Sequence, residues 1–150
     1  MEREFIVALT PVRNEDWILD YTLRDLLTWV DHVIVLNHAS TDRTTEIVSG
    51  IQRELEVQPQ NLGQYREELP LQVQLNRVTV LTEPDPLWRE MSHRQRMFEY
   101  ARDLKATHIV LIDADEVLSA NLKPRIRSLI TSTPAGEVGN LPWVHPWRGL

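Results

Sequence analysis

The sequence contains no cysteine, no long apolar run and no cluster of basic residues. The absence of cysteine excludes disulfides, thiolate metal sites and a cysteine nucleophile, and it agrees with a cytoplasmic protein. No apolar stretch approaches the roughly 20 residues that a membrane-spanning helix needs. The formal net charge of -6 argues against nucleic acid as a partner, because proteins that bind the phosphate backbone carry a basic face. We therefore expect a soluble, cytoplasmic chain with no membrane span.

What the sequence does contain suits one domain of ordinary size. It has 150 residues, 42% of them hydrophobic, and can bury roughly two-thirds of its unfolded surface. Short apolar runs predict strands at 4–9, 32–37, 78–81 and 108–112, and helical spacing predicts helices at about 15–29, around 47–55 and at 88–105. Because strands that alternate with helices become parallel neighbours, we predict an α/β fold, a three-layer α/β/α sandwich with a mostly parallel sheet.

Local signals set the expected ends of these elements. Thr10-Pro11 is expected to close the first strand, and Asn14 is predicted as the N-cap of the first helix. The polar stretch 58–70 is predicted to be a surface excursion. Further predictions are strand structure at 71–76, a helix at 121–130 and a strand at 137–144.

An acidic motif follows the strand predicted at 108–112. Asp113, Asp115 and Glu116 come directly after a run of apolar residues that is expected to be buried. Ligands of parallel sheets bind at the carboxyl ends of the strands, and paired carboxylates with no cysteine nearby favour a hard cation such as Mg2+ or Mn2+. The alternative is an acidic loop that caps the next helix.

The chain resembles the family 2 glycosyltransferases, whose nucleotide-sugar-binding domain has a Rossmann-like fold known as GT-A. Four motifs occur in the family's order. They are Thr10-Pro11-Val12-Arg13-Asn14-Glu15, the stretch Val35 to Thr44, the pair Arg94-Gln95, and Asp113-Ala114-Asp115-Glu116 in the place of the family's Asp-X-Asp.

The resemblance implies a glycosyltransferase of the hexosyltransferase type. It would bind a nucleotide-diphosphate sugar and transfer the sugar, with inversion, to an unknown glycan, lipid or protein acceptor. Asp115 would ligate Mn2+ or Mg2+ with help from Asp113, and the metal would stabilise the leaving diphosphate. The residues implied in binding the nucleotide sugar are Pro11, Arg13, Asn14, Glu15, Asn37, Arg94 and Asp113.

The second motif departs from the family pattern. Asn37-His38 replaces the usual Asp pair, and Ala39 and Arg43 replace the two glycines. His38 is interpreted as a loop histidine rather than a ligand. Asp42 is interpreted as the N-cap of the following helix.

No general base is evident. Glu137 is the only carboxylate after Glu116, and we expect it to face solvent. Three alternatives stay open for Trp143, His145 and Trp147: they line a sugar pocket, supply a metal ligand or cover the core. We therefore interpret residues 1–150 as a single nucleotide-sugar-binding domain that lacks most of the acceptor-binding half.

Two other functions fit parts of the sequence. A non-catalytic nucleotide-sugar-binding or interaction module would keep the donor motifs without a base. A haloacid dehalogenase-like phosphatase would use Asp113 as nucleophile and Asp115 as acid/base. That phosphatase family carries its motif on the first strand, whereas here more than a hundred residues precede it.

Overall fold

Four parallel strands form a single sheet with the order β3-β2-β1-β4. The computed structural model describes residues 4–57 and 76–142, together with Leu71 and Val73. The strands are β1 (Ile6–Val12), β2 (His32–His38), β3 (Val78–Glu83) and β4 (His108–Leu111). The helices are α1 (Leu19–Leu26), α2 (Thr44–Val57), α3 (Glu90–Asp103) and α4 (Ile126–Thr131), the last preceded by a 3-10 turn at Lys123–Arg125.

Helices cover both faces of the sheet. Ala8 of β1 belongs to the core beneath α1, α2 and α4, whereas the next residue, Leu9, belongs to the core beneath α3. Both side chains are fully buried, which explains why the strand sequence is apolar at consecutive positions rather than at alternate ones. The predicted three-layer α/β/α sandwich with parallel strands is confirmed.

Strand β1 continues through Pro11, so the prediction that proline closes this strand was wrong. The carbonyl of Leu9 accepts the N–H of Ile112, which shows that Leu9 faces β4. Residues two apart on a strand point the same way, so Pro11 also faces the β4 side. Strand β4 has already ended at Leu111. The missing N–H of Pro11 therefore costs no bond within the sheet.

The first helix begins later than predicted, and Asn14 is not its N-cap. Helix α1 starts at Leu19 with Ile18 at the cap position. Asn14 has φ 54°, and its side chain binds the next loop instead of the helix. Asparagine tolerates this left-handed conformation because its short polar side chain bonds locally.

Strand β4 is less buried than its apolar sequence predicted. It pairs with β1 alone within the described part of the chain, its first three residues are half-buried, and Leu111 is 48% exposed. Its position beside only one neighbour accounts for the difference.

Two predicted strands are not observed. Leu71 and Val73 have helical conformation, and residues 137–142 form no strand. The rest of both predicted strands and the surface excursion at 58–70 lie outside the described residues, as do Trp143, His145 and Trp147. The helix predicted at 121–130 is confirmed in part, as the 3-10 turn followed by α4.

Candidate functional site

The loops after β1 and β2 are bonded to each other at the carboxyl edge of the sheet. The side-chain oxygen of Asn14 accepts the backbone N–H of Thr41 at 2.7 Å, and the backbone N–H of Asn14 donates to Ser40 Oγ at 3.1 Å. One residue later, the backbone N–H of Glu15 donates to Thr44 Oγ1 at 3.1 Å. Parallel strands place all their carboxyl ends at one edge, and these bonds fix the two loops there.

Asp42 has the structural role predicted for it at the start of α2. Its carboxylate accepts the backbone N–H of Thr44, the first residue of the helix, at 2.9 Å and the N–H of Asp16 at 3.0 Å. A carboxylate at a helix N-terminus is favoured by the unpaired N–H groups there.

The loop after β4 brings its acidic residues to the same place. Burial raises the pKa of the Glu15 carboxyl, a hydrogen bond from the Trp17 indole lowers it, and the carboxylates of Asp115, Asp42 and Asp113 raise it further. Strands β1 and β4 are neighbours, with Leu9 opposite Leu111, so the loops that follow them leave the sheet side by side. Glu15, which follows β1, therefore shares one negatively charged edge with the acidic motif that follows β4.

Glu116 holds the acidic turn together. Its side chain accepts the backbone N–H of Asp113 at 2.7 Å, and its own N–H donates to the carbonyl of Asp113 at 3.1 Å. Burial raises the pKa of Glu116. The next helical turn begins only at Lys123, so the alternative in which this motif caps a helix is wrong. The role of Glu116 was not predicted, because a carboxylate that caps its own turn has no distinctive spacing.

The two predicted arginines are placed differently. Arg13 donates from Nη1 to the carbonyl of Pro86 at 2.7 Å, which ties the loop after β1 to the segment that follows β3. A guanidinium has five N–H groups, so others stay available to an anion. Arg94 forms an ion pair with Glu90 within α3. No contact between Arg94 and the acidic turn is observed among the described side chains.

Asn37 and His38 close the carboxyl end of β2 and are both buried. The amide of Asn37 donates to Thr45 Oγ1 at 2.9 Å, while its Oδ1 has no hydrogen-bond partner in the described residues. His38 is the last residue of the strand and contacts the rings of Trp88 and His93. It is therefore a buried strand residue, and the interpretation as a loop histidine was wrong.

The donor set at this edge suits a hard divalent cation. No three His, Asp or Glu side chains converge as a complete metal cage in the part of the chain that is described. Mg2+ and Mn2+ do not require one, because one or two carboxylates commonly hold them together with phosphate oxygens and water. Asp113 and Asp115 have that chemistry, and the negative charge that raises the pKa of Glu15 is charge that a cation would offset.

Neither a protein-family model nor a curated protein matches the sequence. Among solved structures, the chain is similar to a mannosyltransferase from Pyrobaculum calidifontis in complex with GDP-Man and Mn2+, with a TM-score of 0.57 and 18% sequence identity. The chain shares the α/β fold of that structure. The match covers 89% of this chain and 34% of that one, so the chain spans about a third of the length of the mannosyltransferase. At this identity the likeness establishes the fold alone.

The helices carry no membrane-spanning signature. None of those in the described ranges is both long enough and apolar enough to cross a bilayer.

Proposed function

We propose that this domain binds a nucleotide-diphosphate sugar through Mn2+ or Mg2+ and takes part in glycosyl transfer as a family 2 glycosyltransferase. The observation that carries the proposal is the pairing of β1 with β4, Leu9 opposite Leu111, which starts the loop that carries Glu15 beside the loop that carries Asp113 and Asp115. Two loops that are far apart in sequence thus carry carboxylates at one edge of the sheet, on a fold shared with a mannosyltransferase. Such an edge is favourable when a cation and a diphosphate complete it.

The proposed roles follow from the chemistry of each group. Asp115 and Asp113 hold the cation, which stabilises the charge of the departing diphosphate. Arg13 offers its remaining N–H groups to phosphate oxygens. The unpartnered Oδ1 of Asn37 accepts from the nucleoside. The other residues implied in donor binding have different roles. The first loop is shaped by Pro11, Asn14 and Glu15. Arg94 approaches the donor only if its ion pair with Glu90 breaks.

A non-catalytic donor-binding module is the second candidate. One observation favours it: within residues 1–150, the carboxylate that follows the acidic motif, Glu137, is exposed. An inverting transferase needs a base that removes the proton of the acceptor hydroxyl. On this account the domain holds the donor, and the base and the acceptor site belong to other parts of the assembly.

The phosphatase alternative is less well supported. Its nucleophile would be Asp113, which here follows the fourth strand, at the edge of the sheet, rather than the first strand.

Calorimetric titration with UDP, GDP and TDP, each with and without Mn2+, tests the proposal. We expect one diphosphate to bind only with Mn2+, and Asp115→Asn to weaken that binding at least tenfold. The matched control is Asp103→Asn at the exposed last position of α3, which should bind as the wild type does. Binding of equal affinity with and without Mn2+, and in the wild type and Asp115→Asn, would refute the metal-assisted site.

Transfer of sugar from the bound donor to water or to an added acceptor distinguishes the two candidates. Turnover of the intact nucleotide sugar supports the transferase, and tight binding without turnover supports the non-catalytic module.

A further inference from the structure

Three aromatic rings pack together beside the carboxyl end of β2. The His93 ring centroid lies 4.6 Å from that of Trp88 and 5.2 Å from that of His38, and the His38 and Trp88 centroids are 5.3 Å apart. Both histidines are 3% exposed. Buried imidazoles need polar partners, so the contacts of their nitrogens indicate what the cluster does.

The two nitrogens of His93 have different partners. Nδ1 accepts the backbone N–H of Arg89, the cap residue of α3, at 3.3 Å. Nε2 lies 3.6 Å from the Glu83 carboxylate at the end of β3. The contact of Nδ1 with Arg89 is a hydrogen bond, whereas the separation of Nε2 from Glu83 is longer than one. His93 thus bonds to the last of residues 84–89, here called the 84–89 segment, and lies near Glu83, the residue that precedes them.

Charged residues in and beside the 84–89 segment also hold it in place. Glu83 accepts the N–H of Asp85 at 3.0 Å, and Asp85 accepts the N–H of Leu87 at 2.9 Å. Asp85 pairs with Arg89 at 2.9 Å, and Arg96 lies 3.9 Å from Glu83. Within the same segment, the Pro86 carbonyl accepts the hydrogen bond from the Arg13 guanidinium.

We infer that His93 is a positioning residue for the donor site: its Nδ1 fixes the 84–89 segment, and the Pro86 carbonyl of that segment fixes Arg13. The inference rests on the proposed function, in which Arg13 approaches the diphosphate. His93 itself touches neither the acidic turn nor Arg13 in the described structure. Its effect on ligand binding would therefore pass through the backbone of the segment.

Two substitutions separate this role from simple packing. The amide oxygen of asparagine lies near the place of an imidazole Nδ1, so His93→Asn can still accept the Arg89 N–H. The longer His93→Gln reaches toward Glu83, as Nε2 does, and loses that acceptor. Both variants lose the ring contacts with Trp88 and His38, so a packing role predicts similar defects in the two.

The binding experiment uses the intact chain with UDP, GDP and TDP in the presence of Mn2+. For the diphosphate that the wild type binds, we expect His93→Gln to weaken binding about fivefold, as the loss of one hydrogen bond would, and His93→Asn to stay within about twofold. In a double-mutant cycle, His93→Gln should have little further effect once Arg13→Ala is present. Equal losses in the two His93 variants, or additive losses with Arg13→Ala, overturn the inference.

Hydrogen exchange without nucleotide gives an independent measurement. We expect the amides of Asp85 and of residues 87–89 to exchange faster in His93→Gln than in His93→Asn, at matched global stability. Equal exchange in the two variants overturns the positioning role. If the wild type binds no diphosphate, the proposed function fails in the wild type alone, and the exchange data still decide whether His93 positions the 84–89 segment.

Discussion

The side-chain oxygen of Asn14 accepts the backbone N–H of Thr41 at 2.7 Å. This bond joins the loops after β1 and β2 across 27 positions of sequence, with a second, longer contact from Thr41 Oγ1. Asn14 makes it from a left-handed conformation, φ 54°. Two properties of asparagine are therefore used at once: its tolerance of positive φ and its amide oxygen.

These two properties can be separated by substitution. Asn14→Gly keeps the conformation and loses the bond, so we expect a loss of about 1 kcal/mol in the free energy of unfolding. Asn14→Ala also loses the bond and keeps the β-carbon at positive φ without the local polar bonding of asparagine, so it should be about 1 kcal/mol less stable than Asn14→Gly. Urea unfolding of both variants measures the difference. Equal stability of the two would show that the conformation of this loop relaxes without cost.

Helix α3 ends with a lysine where glycine is the usual residue. Lys105 has φ 65°, its N–H donates to the carbonyl of Arg102 at 2.9 Å, and the N–H of Ala106 donates to the carbonyl of Ala101 at 3.0 Å. This is the Schellman pattern, in which the residue after the cap is left-handed. We expect Lys105→Gly to stabilise the protein by about 0.5 to 1 kcal/mol, because glycine adopts this conformation without strain.

The control for this prediction is Lys105→Ala, which keeps the β-carbon and should unfold as the wild type does in urea. A gain in stability from alanine equal to that from glycine would assign the effect to the removed charge rather than to the backbone.

A buried histidine should make stability fall in mild acid. Burial, and then the nearby Arg77 guanidinium, lowers the pKa of His32 to about 3, and its Nε2 lies 2.8 Å from Thr79 Oγ1. The unfolded chain takes up this proton near pH 6.5 and the folded chain only near pH 3. His32 therefore contributes stability above pH 6.5 that is lost between these values, at about 1.4 kcal/mol per pH unit.

Urea unfolding at pH 7, 5.5 and 4 checks this pH dependence. His32→Gln should remove the slope that His32 contributes. Thr79→Val keeps the imidazole buried, so it should lower stability by a similar amount at each pH and keep the slope. An unchanged slope in His32→Gln would refute the assignment.

The sequence was sufficient to predict the layers of the fold. Consecutive apolar residues at 6–9 and 33–36 predicted strands covered on both faces, because each pair of neighbours points to opposite sides. The predicted end of β1 failed because the cost of a proline depends on which neighbouring strand its nitrogen faces. That depends on register and on where β4 stops, and neither can be read from residues 10–12.

The candidate site, like the fold, was predicted from the sequence only in part. Asp113 and Asp115 were predicted from their place after an apolar run, because the carboxyl ends of parallel strands share an edge. The pairing of β1 with β4 starts the loops after these strands side by side, and the metal site itself stays a prediction. The ring cluster of His38, Trp88 and His93 was missed, since it joins β2, the segment after β3 and α3 without any local spacing that marks it.

The shared negative edge should be recognisable from the pH dependence of stability, without any ligand. The pKa of Glu15 is raised, so the folded state holds this proton more readily than the unfolded chain. The stabilisation from Glu15 is present below its ordinary pKa, near 4.5, and is lost as the pH rises through the raised value. We expect Glu15→Gln to be more stable than the wild type at pH 7, with the advantage vanishing near pH 4. Glutamine can still accept the bond from Trp17.

Glu54 is the control of opposite sign. Its hydrogen bond to Arg24 lowers the pKa of the Glu54 carboxyl, so its contribution is present at neutral pH and lost as the pH falls below 4.5. Glu54→Gln should therefore be less stable than the wild type at pH 7 and equal to it in acid. Unfolding in urea, without added metal, compares both variants from pH 3.5 to 7. If Glu15→Gln follows the direction of Glu54→Gln, the pKa of Glu15 is not raised, and neither burial nor repulsion from the neighbouring carboxylates dominates at this edge.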